Sequence, residues 1–157
     1  MKIYLAGPFF NEEQLHVINE VALEALRLGY DIFSPRSKCF CPPNASLKQR
    51  TKSFEGNCEG IEYCEVILAR IDDFDPGTVW ELGFAHGIRH VSSTRLFSSK
   101  IPRIYAYTTI PSRGLNLMLA LGVDGFLQGL PSVFKFLHEM ITMNSDTEAK
   151  KWQKQIV

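Results

Sequence analysis

The order of its segments predicts an α/β domain with a five-stranded parallel sheet and helices on both faces. Three observations support this. Short apolar runs closed by Gly, Pro or Ser alternate along the chain with segments of helical length. Val66-Ile67-Leu68-Ala69 is apolar at consecutive positions, as expected of a strand buried on both sides. The 157 residues contain no internal repeat and no linker-like stretch, which suits a single core.

Lys2–Ala6 is the first strand, closed by Gly7-Pro8. Asn11 opens a helix, and Gln14 three residues on completes a capping-box pattern. Leu15, Ile18, Ala22, Ala25 and Leu26 fall on one face of that helix, and Gly29 stops it. Asp31–Phe33 is a brief second strand. Residues 34–45, rich in proline and without periodicity, read as a loop. Ser46–Glu62 is a polar helix, Cys64–Ile71 the third strand and Thr78–Ile88 the third helix. The serine-rich stretch 90–100 is expected to be a mobile connection. Arg103–Tyr107 is the fourth strand, 114–121 a short helix and Gly125–Leu127 the last strand. A closing helix over 131–144 puts Phe134, Leu137, His138 and Ile141 on one stripe. The pattern fits a flavodoxin-like, doubly wound domain over residues 1–144, with 145–157 as a polar tail.

Lys+Arg and Asp+Glu each number 17, so nothing suggests an electrostatic footprint for nucleic acid or membrane. The first apolar run is too short for a signal peptide and no run reaches membrane-spanning length, so a cytoplasmic location is expected. Cys39, Cys41, Cys58 and Cys64 include no Cys-x-x-Cys pair. Reduced thiols are expected, with no metal and no cofactor.

The chemistry concentrates after the third strand, in Asp72-Asp73-Phe74-Asp75-Pro76-Gly77-Thr78-Val79-Trp80-Glu81-Leu82-Gly83. Ligands of open α/β sheets bind at the carboxyl ends of the strands. Asp75 and Glu81 flank a glycine turn there, a plausible carboxylate pair for breaking a glycosidic bond. Thr78-x-x-Glu81 also fits a capping box, so Glu81 is either a helix cap or a nucleophile at the positive end of a helix. Asp75 either caps the turn or protonates a leaving base. Gly77 is expected to allow close approach of substrate or a positive φ, and Asp72 and Asp73 are expected to be solvated loop charges. Tyr4 either packs in the core or orients Glu81. Phe9 and Phe10 offer a stacking surface for a flat base, and Trp80 offers a second wall or packs on the sheet.

Ile3-Tyr4-Leu5-Ala6-Gly7-Pro8-Phe9-Phe10-Asn11, the Asp75-x-Gly77-Thr78-x-x-Glu81-Leu82-Gly83 segment and Leu115-Asn116-Leu117-Met118 together resemble the nucleoside 2-deoxyribosyltransferase family, in order and in spacing. The resemblance implies base exchange on 2′-deoxynucleosides with free purine or pyrimidine bases, through a covalent deoxyribosyl-enzyme. It implies Glu81 as nucleophile, Asp75 as the group that contacts and protonates the base, and Tyr4 as hydrogen-bond partner of the nucleophile. Gly7, Phe10, Gly77 and Met118 would line the substrate. Asn116 would come from a neighbouring subunit of a homo-oligomer with shared sites. Asn57 falls where some members carry Asp, which implies base binding without acid chemistry. The aromatic tail of some relatives is not recognisable in 150–157.

Two other readings compete. Hydrolysis of a 2′-deoxynucleoside 5′-monophosphate could draw on Ser92, Ser93, Arg95, Ser112 and Arg113, but Pro8-Phe9-Phe10 supplies no polar phosphate ligand. A non-catalytic nucleotide sensor is compatible with the fold, because fold does not fix function. The coexistence of Tyr4, Asp75, Glu81 and Asn116 argues against it.

Overall fold

The computed structural model describes residues 1–94, 101–110 and 114–142. Its elements are β1 (Lys2–Ala6), α1 (Glu12–Arg27), β2 (Asp31–Phe33), α2 (Pro35–Lys38), α3 (Leu47–Tyr63), β3 (Val66–Arg70), α4 (Pro76–Thr94), β4 (Arg103–Thr108), α5 (Leu117–Gly122), β5 (Gly125–Gln128) and α6 (Leu130–Thr142). All strand pairings are parallel and the order is β2-β1-β3-β4-β5, the doubly wound arrangement expected. The tail 145–157, the stretch 95–100, and Ser112 and Arg113 lie outside the described residues.

Strand alternation divides the core in two. Ile3, Leu5, Val66, Leu68, Tyr105, Tyr107 and Leu127 face α1 and α6. Tyr4, Ala6, Ile67, Ala69, Ile104, Ala106 and Phe126 face the other way, against Ile61 of α3, Leu82 and Ala85 of α4 and Leu119 of α5. Both faces are dry, which is why β3 reads as an unbroken apolar run. On the second face Ala6, Ala69 and Ala106 are in register across β1, β3 and β4. This row of small side chains lowers the floor at the carboxyl ends of the central strands, where α4 begins.

Helix ends follow local chemistry. Asn11 caps α1 by accepting from Gln14 N at 2.9 Å. Ser46 and Gln49 form a reciprocal capping box at α3. Several expectations need correction. The buried stripe of α1 is Gln14, Val17, Ile18, Val21 and Ala25, while Leu26 is 54% exposed. Ile18 and Ala25 lie on the buried stripe as expected, while Gln14, Val17 and Val21 take the places of Leu15, Ala22 and Leu26 where α1 packs against β2 and α6 together. On α6 the buried residues are Val133, Phe136, Leu137 and Met140; His138 instead reaches Glu24 on α1, and Ile141 is largely exposed. Within 34–45, Pro35 at the first helical position starts the single turn α2. The stretch 90–94 continues α4 rather than forming a connection, and α5 starts only at Leu117.

Gly60 of α3 is a packing point. A Cβ there would lie 2.6 Å from the Phe33 ring, which itself stacks on Tyr4 with centroids 5.3 Å apart. Gly60→Ala should therefore cost about 1–3 kcal/mol by overpacking. Denaturant unfolding checks this; an unchanged midpoint would show that Phe33 yields freely.

Candidate active site

The crevice lies where β1 and β3 send their connections to opposite faces of the sheet. Tyr4 on β1 is fully buried, and its hydroxyl donates to Glu81 Oε1 at 2.6 Å. The stacked ring of Phe33, at the carboxyl end of β2, fixes the Tyr4 ring. Glu81 is therefore not a capping residue. Helix α4 starts at Pro76, two residues earlier than the Thr78 pattern suggests, and Asp75 holds its first turn. Asp75 Oδ2 accepts from Thr78 N at 2.7 Å and from Thr78 Oγ1 at 2.9 Å.

Gly77 has no positive φ. The left-handed residue of this turn is Phe74, at φ 47°. What Gly77 contributes is space, because a Cβ there would approach Asp75 Oδ2 to 3.0 Å. Asp72 is also not a solvated charge: it is 1% exposed and pairs with Arg70 at 2.6 Å. Asp73 is exposed, but accepts from Gln14 Nε2 at 2.9 Å.

Burial pushes the Glu81 carboxyl up; the Tyr4 hydrogen bond pulls it back and the charge of Asp75 raises it again, leaving it at about 7. Among the described residues no cation pairs with Glu81. Burial, reinforced by Glu81, keeps the Tyr4 phenol protonated and so a donor. Burial also raises the Cys39 and Cys58 thiols, which favours their protonated form. Asn57 projects from α3 with its Oδ1 buried and without a hydrogen-bond partner. Such an orphan acceptor is costly unless a ligand donor meets it.

Phe10 is 72% exposed, 5.4 Å from the Phe9 ring, and free to stack on a flat molecule. Trp80 does not pack on the sheet. It lies 46% exposed between Phe54 and Phe84, each centroid 5.2 Å away. Gly7 packs tightly instead of opening a pocket, since a Cβ would meet Ile18 Cδ1 at 2.9 Å and Arg70 Cβ at 3.1 Å. Asn116 and Met118 line a separate cavity of about 400 Å³ between α4 and α5, with Val79, Leu82 and His86. Glu81 is not among its lining residues. Sequence reasoning missed Phe33; its position at the carboxyl end of β2, beside Ser34-Pro35, was the available signal. No group of three or more His, Cys, Asp or Glu among the described residues is arranged to hold a metal ion. No helix among them is long and apolar enough to cross a membrane.

A doubly wound sheet whose crevice carries a buried, tyrosine-held carboxylate beside a second acid suits an enzyme of the deoxyribosyltransferase and N-glycosidase kind. The chain belongs to the nucleoside 2-deoxyribosyltransferase family, whose model matches residues 3–118. Among solved structures it is similar to a 2-deoxyribosyltransferase of the psychrotolerant bacterium Bacillus psychrosaccharolyticus, at 26% identity and a TM-score of 0.69 over 96% of each chain. The fold is shared with a CMP N-glycosidase of Clostridium botulinum, at 12% identity and a TM-score of 0.57 over 90% of this chain and 99% of that one. It is also shared with a conserved protein of Enterococcus faecalis, at 17% identity and a TM-score of 0.54 over 100% and 99%. No functionally curated protein sequence is significantly similar to the chain.

The raised Glu81 carboxyl has a consequence for stability. The folded protein holds this proton up to about pH 7, whereas the ordinary value is 4.5, so the stability this group contributes falls as pH rises from one value to the other and levels off above. Glu81→Gln should remove that component. Thermal melts at pH 8 should show the variant more stable than wild type, with the gap closing towards pH 4.

Proposed function

We propose that the protein exchanges the base of 2′-deoxynucleosides by double displacement through a deoxyribosyl ester on Glu81. The observation that carries this reading is the Tyr4–Glu81 hydrogen bond in a buried crevice. It engages Oε1 alone and leaves Oε2 as the attacking atom. Glu81 Oε2 forms a bond to C1′ as the N-glycosidic bond breaks, with its electron pair going to the departing base. Asp75 contacts that base and supplies the proton its nitrogen gains. A nitrogen of the second base then attacks C1′ and passes its proton back to the Asp75 carboxylate, as the ester C–O bond breaks and the Glu81 carboxylate returns. Burial makes Glu81 basic, which favours ester formation, and the Tyr4 hydroxyl steadies the anion each time it is released.

Phe10 stacks on the base, and the unpaired Oδ1 of Asn57 accepts from a base N–H. Gly7 and Gly77 bound the substrate loops. Acceptors are free purines or pyrimidines, and the reaction recycles preformed bases in nucleotide salvage. If water replaces the second base, the same ester yields free deoxyribose. Incubating the enzyme with deoxyadenosine and cytosine distinguishes exchange, seen as deoxycytidine, from hydrolysis and from mere binding.

Glu81→Ala should lower exchange by roughly 10³-fold or more, because the main route is lost. A 2-fluorinated deoxynucleoside should leave an adduct that mass spectrometry maps to Glu81. An adduct on another residue would overturn the assignment.

The sites are further proposed to be shared within a homo-oligomer, with Asn116 and Met118 completing a neighbour's sugar pocket. Leu117, Met118 and Leu121 leave a short helix with three large apolar side chains at least 70% exposed, which supports burial against another copy. Asn116 also caps α5, accepting from Leu119 N at 3.0 Å. Asn116→Ser is therefore the cleaner variant, since serine keeps the cap and loses the amide. Separately inactive Glu81→Ala and Asn116→Ser proteins, dissociated and remixed, should regain turnover. No recovery in hetero-oligomers verified by native mass spectrometry would refute shared sites.

A further inference from the structure

At the carboxyl ends of β3 and β4 lies a buried polar cluster that the proposed chemistry does not use. Arg70 ends β3 and is 2% exposed; Asp72 follows two residues later at 1%. Alternation puts Arg70 on the α1 side, between Ala69 and Ile71, which face the Glu81 side. Its Nε donates to Asp72 Oδ2 at 2.6 Å and its Nη2 to Glu13 Oε1, in the first turn of α1, at 2.7 Å. Asp72 Oδ1 also accepts from the Thr108 hydroxyl and from Thr109 N at 2.8 Å, and Oδ2 from Thr109 Oγ1 at 2.5 Å. Gln14 adds a second tie, donating to Asp73 Oδ2 at 2.9 Å and accepting from Phe10 N at 2.8 Å.

The cluster thus joins three crevice loops, those after β1, β3 and β4, through one dipeptide, Asp72-Asp73. A buried ion pair seldom adds net stability over apolar packing, and its best-attested use is to fix geometry. The geometry at stake is two residues downstream. Phe74 is held in the left-handed region, which non-glycine residues avoid and keep only where their surroundings over-determine them. Asp72 and Asp73 anchor that turn on one side, and Phe74 N donates to Ile71 O at 3.2 Å. Asp75 anchors it on the other, with Oδ2 committed to Thr78 and Oδ1 left for substrate. The direction in which Oδ1 points is therefore set by a turn whose upstream end is the Asp72 cluster.

We infer that Asp72, gripped by Arg70, Thr108 and Thr109, is a positioning residue that aims Asp75 at the departing base. This rests on the base-exchange reading above and extends it from the reacting groups to the group that orients them. Asp72 touches no substrate. It acts through the Phe74 turn, and its effect is confined to proton transfer between Asp75 and the base.

Asp72→Asn would leave Arg70 short of charge in the interior, so the informative variant is Thr109→Val, which deletes one donor to Asp72 and keeps shape. Two donors separate aim from general integrity. Deoxyadenosine needs protonation of its base on departure, whereas N7-methyl-deoxyguanosine releases a neutral base without it. Thr109→Val should melt close to wild type, keep KM and lose about tenfold or more in kcat with deoxyadenosine, as expected when a catalytic group is slightly misplaced. With the methylated donor its kcat should stay within about twofold, and Thr109→Ser should restore turnover of deoxyadenosine. In an Asp75→Asn background, Thr109→Val should have no further effect. Equal losses on both donors, or no loss on either, would overturn the positioning role while leaving base exchange intact. A wild-type protein inert towards both donors would overturn base exchange itself, and this inference with it.

Discussion

The crevice depends on one hydrogen bond, from the Tyr4 hydroxyl to Glu81 Oε1. It spans β1 and α4, which meet only because β1 and β3 are neighbours in the strand order. The in-register alanines Ala6, Ala69 and Ala106 are small side chains on the face that carries Tyr4, which starts two residues before Ala6 on β1. Phe33 stacks on the Tyr4 ring, and Gly60 leaves room for Phe33. Removal of any of these moves the hydroxyl relative to the carboxylate. A buried carboxylate without a donor would stay protonated well above neutrality; a fully paired one would be a poor base. One phenolic donor in a dry crevice leaves Glu81 between those extremes, at about 7.

The two faces of the sheet divide the work. The face under α3, α4 and α5 carries Tyr4 and Glu81; the face under α1 and α6 carries Arg70, and Asp72 joins it to the carboxyl end of β4. Each holds a charged group that apolar packing alone would not favour. The sites carry a cost in stability, and the two continuous cores on either side of β3 offset it. Asn57 adds to the cost, with a buried acceptor that nothing among the described residues satisfies.

How much of this could be read beforehand varied with the kind of interaction. The parallel, doubly wound class followed from alternation of apolar runs and helices, because two-sided burial leaves a periodic trace. Glu81 and Tyr4 could be named, but their contact is 77 positions apart in sequence and depends on register. Asp72 was misread as solvated because the line Asp72-Asp73-Phe74-Asp75 resembles a polar turn. Yet residues two apart in extended chain share a face, so Arg70 and Asp72 formed a legible pair. The α1 stripe was misplaced for a different reason. Val17 and Val21 suit the same helical period as Leu15 and Ala22, and which set is buried depends on where α6 lies. The Thr78-Glu81 capping pattern failed because Asp75-Pro76 starts the helix earlier, and nothing in the four-residue pattern can register that.

Asp75 shows why capping and catalytic readings of one residue are not alternatives. Its Oδ2 is spent on Thr78, which fixes the side chain at the start of α4, and that same commitment leaves Oδ1 in a defined direction. Asn116 repeats the device at α5, where its Oδ1 accepts from Leu119 N at 3.0 Å. A helix N-terminus has backbone donors that must be met, so a short polar residue is stabilising there before any substrate arrives. A group that serves as cap is already ordered, and little entropy remains to be lost when its second atom meets a ligand. On this argument the proposed roles of Asp75 and Asn116 in base and sugar recognition require their structural roles, which supply the rigidity.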